Sequence, residues 1–200
     1  ALMIREKVLG PNHPDVAATL HNQAMNLFVL TKYDQAEQLY RRALAILEKI
    51  FGPDHLNVAQ TINNLALIIG PVNGQYSEAE LLIGRALVIR ENALGSNHPL
   101  VAQSLSSLSE ILDYQGKYAA SENLQRRALA IREEYFGSSH VEVGYSLNNL
   151  ANILIKQGRY HAAEPHIRRG LKILEDNLGQ MHPYVAGALN IQSRIMVAQG

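Results

Sequence analysis

Apolar residues recur along this chain at steps of three and four positions, the spacing that places side chains on one face of an α-helix. Between residues 141 and 157 the recurring residues are Val143, Leu147, Leu150, Ala151 and Leu154. A second run between residues 161 and 177 contains Ala162, Ala163, Ile167, Leu171 and Leu174. Because a glycine at 158 interrupts the pattern, the sequence predicts a hairpin of two amphipathic helices.

The same pattern is repeated along the chain with an almost constant period. Its most regular mark is a glycine followed three residues later by a histidine, at Gly10, Gly52, Gly95, Gly137 and Gly179. A fixed period of about 20 to 50 residues is typical of solenoid proteins, whose units bury their apolar faces against one another. We therefore predict an all-α fold, a right-handed α-solenoid of antiparallel helical hairpins.

The repeat marks also give the predicted organisation of the chain. We expect a single array over residues 1–200, with repeats at 11–52, 53–95, 96–137 and 138–179. Residues 1–10 are interpreted as the end of a preceding repeat, and residues 180–200 as the first helix of a truncated repeat 5. Such incomplete ends are compatible with end-to-end self-association.

Turn residues and small residues fit the same hairpin. A proline follows His13, His98 and His182, which suits the first turn of a helix, and the Asn, Asp or Ser near it is expected to cap that helix. The glycine of each mark is expected in the left-handed conformation after a helix end. Small residues predict close helix contacts at Ala24, Ala66, Ser109 and Ala151, and at Ala36, Ala79, Ser121 and Ala163.

Composition excludes several classes of function. The chain has 18 basic and 18 acidic residues, so it lacks the positive charge of nucleic-acid-binding proteins. It has no cysteine, and no apolar run is long enough to cross a membrane. We expect a cytoplasmic protein with protein or peptide partners and with neither nucleic acid nor membrane as a partner.

No pattern of residues indicates catalysis, a cofactor or a metal site. The chain lacks GxGxxG, Walker and GxSxG motifs, and the five repeated histidines are separated by whole hairpins. His161 and His166 are five residues apart, which does not place two metal ligands on one helical face. The charged clusters at 48–50 and 133–135 are interpreted as solvated helix faces, so the sequence predicts a protein that is not an enzyme.

Several segments resemble the tetratricopeptide repeat in its 42-residue form, as found in kinesin light chains. The similar segments are LNNLA at 147–151, QGRYHAAEPHIRRGLKILEDNLG at 157–179, KYDQAEQLYRRALAILEKIFGPDH at 32–55 and RALAIREEYFG at 127–137. The resemblance implies that the first helix of each hairpin lines a concave groove in which a peptide binds.

The candidate groove residues are mostly amides, which offer both donors and acceptors to a peptide backbone. They are Asn22, Gln60, Asn64, Arg90, Gln103, Glu110, Arg132, Tyr145, Asn149 and Asn152. The resemblance places Asn64 and Asn149 where kinesin light chains hold cargo peptides, and Arg90 and Arg132 where an arginine reaches the groove. A structural role in bonding neighbouring helices is the alternative for each of them.

The groove departs from the kinesin light chain pattern in charge. Where the resemblance implies basic residues for acidic cargo, this sequence has Gln60, Gln103, Gly70 and Asp113, and Glu110 adds negative charge. We therefore expect an interaction scaffold for peptides other than tryptophan-acidic ones. The alternatives are a sensor region of a larger signalling protein, such as a nucleotide-switch ATPase, and a self-assembling array.

Overall fold

The structure is a computed structural model that describes residues 2–199, with only the backbone of the last of these. All regular secondary structure in this range is α-helical, which confirms the predicted all-α fold. The helices are α1 Leu2–Leu9, α2 Pro14–Val29, α3 Tyr33–Phe51, α4 Leu56–Ile69, α5 Tyr76–Leu94, α6 Pro99–Tyr114, α7 Tyr118–Phe136, α8 Val141–Lys156, α9 Tyr160–Leu178 and α10 Pro183–Gln199.

The chain divides into two compact units, residues 1–96 and residues 97–200. In the first unit, α2 packs on α3, α3 on α4 and α4 on α5. In the second unit the same succession runs from α6 to α10. Each unit therefore consists of helices that pack against their neighbours in the sequence, as the repeat pattern predicts.

Each unit has an apolar core formed by the inward faces of its helices. In residues 1–96 the core contains Val16, Leu20, Ala43, Ile46, Val58, Ile62, Ala86 and Ile89. In residues 97–200 it contains Val143, Leu147, Leu150, Leu154, Ile167, Leu171, Leu174, Val185 and Ile195. These residues lie at the spacings of three and four that mark the amphipathic helices.

The small residues predicted at the close contacts are buried in all four hairpins. Ala24, Ala36, Ala66, Ala79, Ala151, Ala163 and Ser121 have no exposed surface, and Ser109 is 2% exposed. Where three hairpins have alanine on both sides, the third pairs two serines, with 2.8 Å between the Oγ atoms of Ser109 and Ser121. Each serine hydroxyl also lies within hydrogen-bonding distance of the other residue's carbonyl oxygen, so this polar contact is satisfied inside the hairpin.

The repeated histidines are the N-cap residues of the first helices. Their Nδ1 atoms accept hydrogen bonds of 3.1–3.3 Å from the backbone N–H two residues later, at His13, His55, His98, His140 and His182. The prediction that the Asn, Asp or Ser near the proline caps the helix is therefore wrong. The histidine takes this role because it has the extended backbone of an N-cap residue and directs a ring nitrogen at the free amide.

The glycine after each second helix has the predicted positive φ but not the predicted left-handed helical ψ. Gly137 has φ 85° and ψ 158°, a combination that is essentially restricted to glycine. Its N–H still closes the helix by donating to the carbonyl oxygen of Glu133. The extended ψ carries the chain away from the helix toward the histidine cap.

The second repeat, residues 53–95, is one residue longer than the others, and the added length lies in the turn of its hairpin. α4 has 14 residues, whereas α2, α6 and α8 have 16, and the turn between α4 and α5 covers residues 70–75. α4 ends at Ile69, directly before Gly70 and Pro71, a residue pair that does not favour continuation of a helix.

Ion pairs connect successive second helices, so the charged clusters at 48–50 and 133–135 are not simply solvated. Arg85 donates to Glu48 at 2.6 Å and to the carbonyl oxygen of Pro53 at 2.7 Å. Arg169 makes the corresponding bonds to Glu133 and to the carbonyl oxygen of Ser138. Half-exposed pairs of this kind contribute up to about 1 kcal/mol each, so their main effect is on the register between hairpins.

The cap predicts the stability effect of replacing His140. His140→Ala removes the acceptor for the Glu142 N–H and should lower the free energy of unfolding by about 1 kcal/mol. His140→Asn restores an acceptor and should recover most of this loss in urea unfolding. His140 also stacks on Phe136 at 4.5 Å, so equal losses for the two variants would show that stacking dominates.

The serine pair predicts a non-additive double substitution. Ser109→Ala or Ser121→Ala alone removes hydrogen bonds and should cost about 1 kcal/mol. The double variant restores the alanine pair of the other three hairpins, so its cost should be well below the sum of the single costs. Additive losses in urea unfolding would contradict the hydrogen bonds as the source of the effect.

Candidate functional site

The predicted groove residues lie mainly on the first helices of each unit, beside two cavities of similar size. We call these faces the first-helix surfaces: the faces of α2 and α4 that border the cavity in residues 1–96, and the faces of α6 and α8 that border the cavity in residues 97–200. The cavity volumes are about 310 Å³ and about 300 Å³.

The cavity in residues 1–96 combines apolar walls with amide groups. Its lining residues are Pro14, Asp15, Ala17, Ala18, His21, Asn22, Leu47, Phe51, Asn57, Gln60 and Thr61. Of the predicted site residues, Asn22 and Gln60 are in this lining, and Asn22 is exposed to solvent. The cavity can therefore accept an apolar group while amides bind polar atoms at its edge.

Asn64 belongs to a hydrogen-bonded cluster next to this cavity. Its Nδ2 atom is 3.2 Å from Nε2 of His21 and 3.5 Å from the hydroxyl of Tyr40, and its Oδ1 accepts from Gln60 at 3.3 Å. Nδ1 of His21 lies 3.2 Å from the hydroxyl of Thr61. Burial lowers the pKa of His21 and raises that of Tyr40, so both groups favour their neutral forms.

Arg90 is a buried residue that contacts the cavity lining through Gln60. It is 1% exposed and donates from Nη2 to Oε1 of Gln60 at 2.7 Å. Burial lowers its pKa to about 10, so the guanidinium remains charged near neutral pH. In this arrangement Arg90 orients Gln60 toward the cavity and does not itself lie on the surface.

The cavity in residues 97–200 is more polar and contains three charged side chains. Its lining residues are Ser106, Ser109, Glu110, Asp113, Tyr114, Asn149, Asn152, Ile153 and Lys156. Lys156 forms an ion pair with Oδ2 of Asp113. Burial and the charge of Asp113 raise the pKa of Glu110, while Lys156 opposes that effect. Glu110, Asn149 and Asn152 are the predicted site residues in this lining.

Arg132 is buried between α6 and α8. Its Nη1 donates to the hydroxyls of Ser106 at 2.8 Å and Ser146 at 2.7 Å, and its Nε is 3.2 Å from a carboxylate oxygen of Glu142. Burial lowers the pKa of Arg132, and Glu142 acts in the opposite direction. Because Ser106 also lines the cavity, Arg132 contacts the site through a side chain that it holds in place.

The remaining predicted residues have separate surroundings. Tyr145 packs against Tyr184 with ring centroids 4.4 Å apart, and burial is the main cause of its raised pKa. Gln103 is half-buried, and its Oε1 has no hydrogen-bond partner among the described residues. Asn152 accepts a hydrogen bond from Arg194 at 3.0 Å, which connects α8 to α10.

Several residues of these sites are absent from the candidates that the sequence analysis proposed. His21, Ser106 and Lys156 contribute to the clusters described above, although none of them belongs to a recognisable motif. A signal does exist in their spacing, because Asp113 and Lys156 are 43 residues apart, as are His21 and Asn64. Pairs separated by one period, or one residue more, are therefore candidates for contacts between neighbouring first helices.

Metal sites and membrane-spanning helices are both absent from residues 2–199. No three His, Cys, Asp or Glu side chains come together there in a way that could hold a metal ion. None of the helices in this range is long and apolar enough to span a membrane.

Stacked helical hairpins with a fixed period define a repeat protein of the α-solenoid class. The family model of the tetratricopeptide repeat matches residues 1–49, 15–68, 72–134 and 114–176. Since these matches cover most of the sequence, the chain belongs to the tetratricopeptide repeat family. Proteins of this family are typically protein-interaction scaffolds. No curated protein sequence matches the chain significantly.

Solved structures show the same fold at low sequence identity. The nearly identical TPR-like repeats of a kinesin light chain-like protein from Podospora anserina share 23% identity, with a TM-score of 0.78 over 94% of this chain and 89% of that one. BtubC (BKLC) from P. vanneervenii shares 22% identity, with a TM-score of 0.74 over 86% and 68% of the two chains. The apo form of RapI shares 16%, with a TM-score of 0.75 over 92% and 64%.

The buried imidazole of His21 predicts a pH dependence of stability. Its folded pKa is below the unfolded value of 6.5, so its contribution is complete above that value and declines as the pH falls toward the folded pKa. His21→Asn should therefore lose less stability than the wild type in urea unfolding between about pH 7.5 and about pH 5. An NMR titration that places the His21 midpoint at or above 6.5 would contradict this.

Proposed function

We propose that this chain is a non-catalytic, cytoplasmic interaction scaffold that binds extended peptide segments of partner proteins on its first-helix surfaces. The observation that carries the proposal is an exposed asparagine at the edge of a cavity in each unit, Asn22 in one and Asn149 in the other. Neither side chain makes a hydrogen bond to another described residue. Both amides are thus available to a ligand.

An extended peptide suits these surfaces because of their hydrogen-bonding groups. Each asparagine side chain has two N–H donors and an oxygen acceptor, which can pair with the N–H and C=O of a peptide backbone whatever its side chains are. The buried groups next to them, Arg90 and Arg132, hold Gln60 and Ser106 in position. A surface that is already ordered loses less conformational entropy when it binds.

The size of the cavities also favours a peptide over a compact small molecule. Both are at the lower end of the range of about 300–1,000 Å³ that is usual for small-molecule sites. Each could take one side chain of a peptide whose backbone runs along the helices. The two linings differ, since one is largely apolar and the other is charged, so each unit would select a different side chain.

The charges on the first-helix surfaces disfavour the binding of acidic peptides. The only cationic group in the two linings is Lys156, apart from any protonation of His21, and Lys156 is already paired with Asp113. An acidic peptide would face the carboxylates of Asp15, Glu110 and Asp113. We therefore expect neutral or basic peptides as ligands. A sensor region of a larger signalling protein would use the same surfaces.

Selection from a random peptide library, followed by affinity measurement, tests the proposal. Wild-type protein should enrich a consensus of extended peptides. Asn22→Ala or Asn149→Ala should lower the affinity for peptides that contact the respective unit by roughly fivefold to tenfold. This is the effect of losing one or two hydrogen bonds.

Matched controls are available on the second helices. Asn92 on α5 and Asn123 on α7 are exposed asparagines away from both cavities, so Asn92→Ala and Asn123→Ala should leave affinity unchanged. Circular dichroism would show that all variants remain folded. If no peptide is enriched, or if the double variant Asn22→Ala/Asn149→Ala binds every enriched peptide like the wild type, the proposal is wrong.

A further inference from the structure

The polar cavity between α6 and α8 has more carboxylate than ammonium groups. Glu110 and Asp113 are on α6, and Lys156 at the end of α8 pairs with Oδ2 of Asp113. The other oxygen of that carboxylate, Oδ1, is buried and has no hydrogen-bond partner among the described residues. Oδ1 of Asp113 is therefore an acceptor that the ion pair with Lys156 leaves without a hydrogen bond.

Glu110 is the second group with unused acceptors. Its carboxylate makes no hydrogen bond and no ion pair within residues 2–199, and the residue lines the cavity while remaining exposed to solvent. Partial desolvation at the cavity raises the pKa of this carboxyl group. The negative charge of Asp113 acts in the same direction. A second cation in the cavity would interact favourably with both carboxylates and offset the repulsion between them.

The rest of the lining offers apolar surface to the methylene stem of a long basic side chain. Ile153 is 4% exposed and contributes apolar surface, and the ring of Tyr114 is half exposed at the cavity. Such walls can pack against the methylene stem of a lysine or arginine, while the charged head reaches the carboxylates. The free amide of Asn149 lies on the same lining and offers a further acceptor.

From this geometry we infer that the cavity in residues 97–200 binds the cationic side chain of a lysine or arginine in a partner peptide. The inference rests on the proposed peptide-binding function and specifies the side chain that this unit selects. Lys156 orients Asp113, and the exposed carboxylate of Glu110 is left to bind the cationic side chain of the peptide. The cavity in residues 1–96 has Asp15 as its only carboxylate and would not share this selectivity.

The carboxylates of this cavity do not form a site for a metal ion. Glu110 and Asp113 are the only carboxylates in the lining, and the ammonium group of Lys156 occupies one side of Asp113. Within residues 2–199 no three His, Cys, Asp or Glu side chains come together in a way that could hold a metal ion. An organic cation needs only a few acceptors and an apolar wall for its stem.

Titration with a small probe tests the inference without knowledge of the partner. N-acetyl-arginine methylamide is added to the isotope-labelled full chain, and the uncharged citrulline analogue is the matched ligand control. The arginine probe should shift the side-chain amide signals of Asn149 and Asn152, and the citrulline probe should not. Magnesium chloride at the same ionic strength should leave these signals unchanged.

Variants then assign the effect to the carboxylate. Glu110→Gln should lower the affinity for the arginine probe by roughly fivefold, which is the effect of losing one partly exposed ion pair. Asp176→Asn, an exposed carboxylate on α9 with the same change of net charge, should have no effect. Equal shifts with the citrulline probe, or unchanged affinity in Glu110→Gln, would overturn the inference.

The peptide selection separates this inference from the proposed function. Peptides whose binding depends on Asn149 should carry a lysine or arginine at a fixed position, and selection on Glu110→Lys should lose that preference. If such peptides are enriched with no basic residue in common, the inference fails and the scaffold function stands. If no peptide is enriched while the arginine probe still binds, the scaffold function fails.

Discussion

The structure depends on one packing constraint, the close approach of two helices across a pair of small residues in every hairpin. Ala24 with Ala36, and the equivalent pairs in the other hairpins, have almost no exposed surface. Larger side chains there would separate the helices and disturb the rows of leucine and isoleucine around them. Because this contact is the same in each repeat, the hairpins are alike and their surfaces recur with the period of the sequence.

The candidate sites follow from that period. Neighbouring first helices are joined by pairs one period apart, or one residue more, such as His21 with Asn64 and Asp113 with Lys156. Neighbouring second helices are joined by pairs about 37 residues apart, such as Glu48 with Arg85. The ion pairs of the second helices hold register, whereas the first helices leave cavities between them. This division of roles explains why amides without partners occur on the first-helix surfaces.

Much of the fold could be predicted because amphipathic spacing, turn residues and small residues act locally. The bounds of the hairpin after Gly137 are reproduced to within about one residue at most helix ends. The histidine cap was missed since an Asn, Asp or Ser directly precedes the histidine in four of the five marks, and only the backbone geometry decides which side chain reaches the amide. Arg90 and Arg132 contact the lining residues Gln60 and Ser106, but their burial depends on neighbouring helices that a sequence does not show.

The sequence predicted several of the residues that border the two cavities, but not the charges around them. Asn22, Gln60, Glu110, Asn149 and Asn152 border the cavities, as expected for residues on the face not used for packing. The charge imbalance around Glu110 could not be foreseen, because it depends on where Lys156 of the next repeat lies and which oxygen of Asp113 it binds. Contacts between repeats therefore decide the charge and the hydrogen-bonding groups that each first-helix surface presents.

We propose that the first helices recognise ligands and that the second helices support them. Chemical-shift mapping of a selected peptide on the labelled chain tests this most directly, because it reports every amide at once. The largest shifts should occur on α2, α4, α6 and α8, at residues that border the two cavities. Shifts concentrated on the outward residues of α3, α5, α7 and α9, around Arg85 and Arg169, would contradict it.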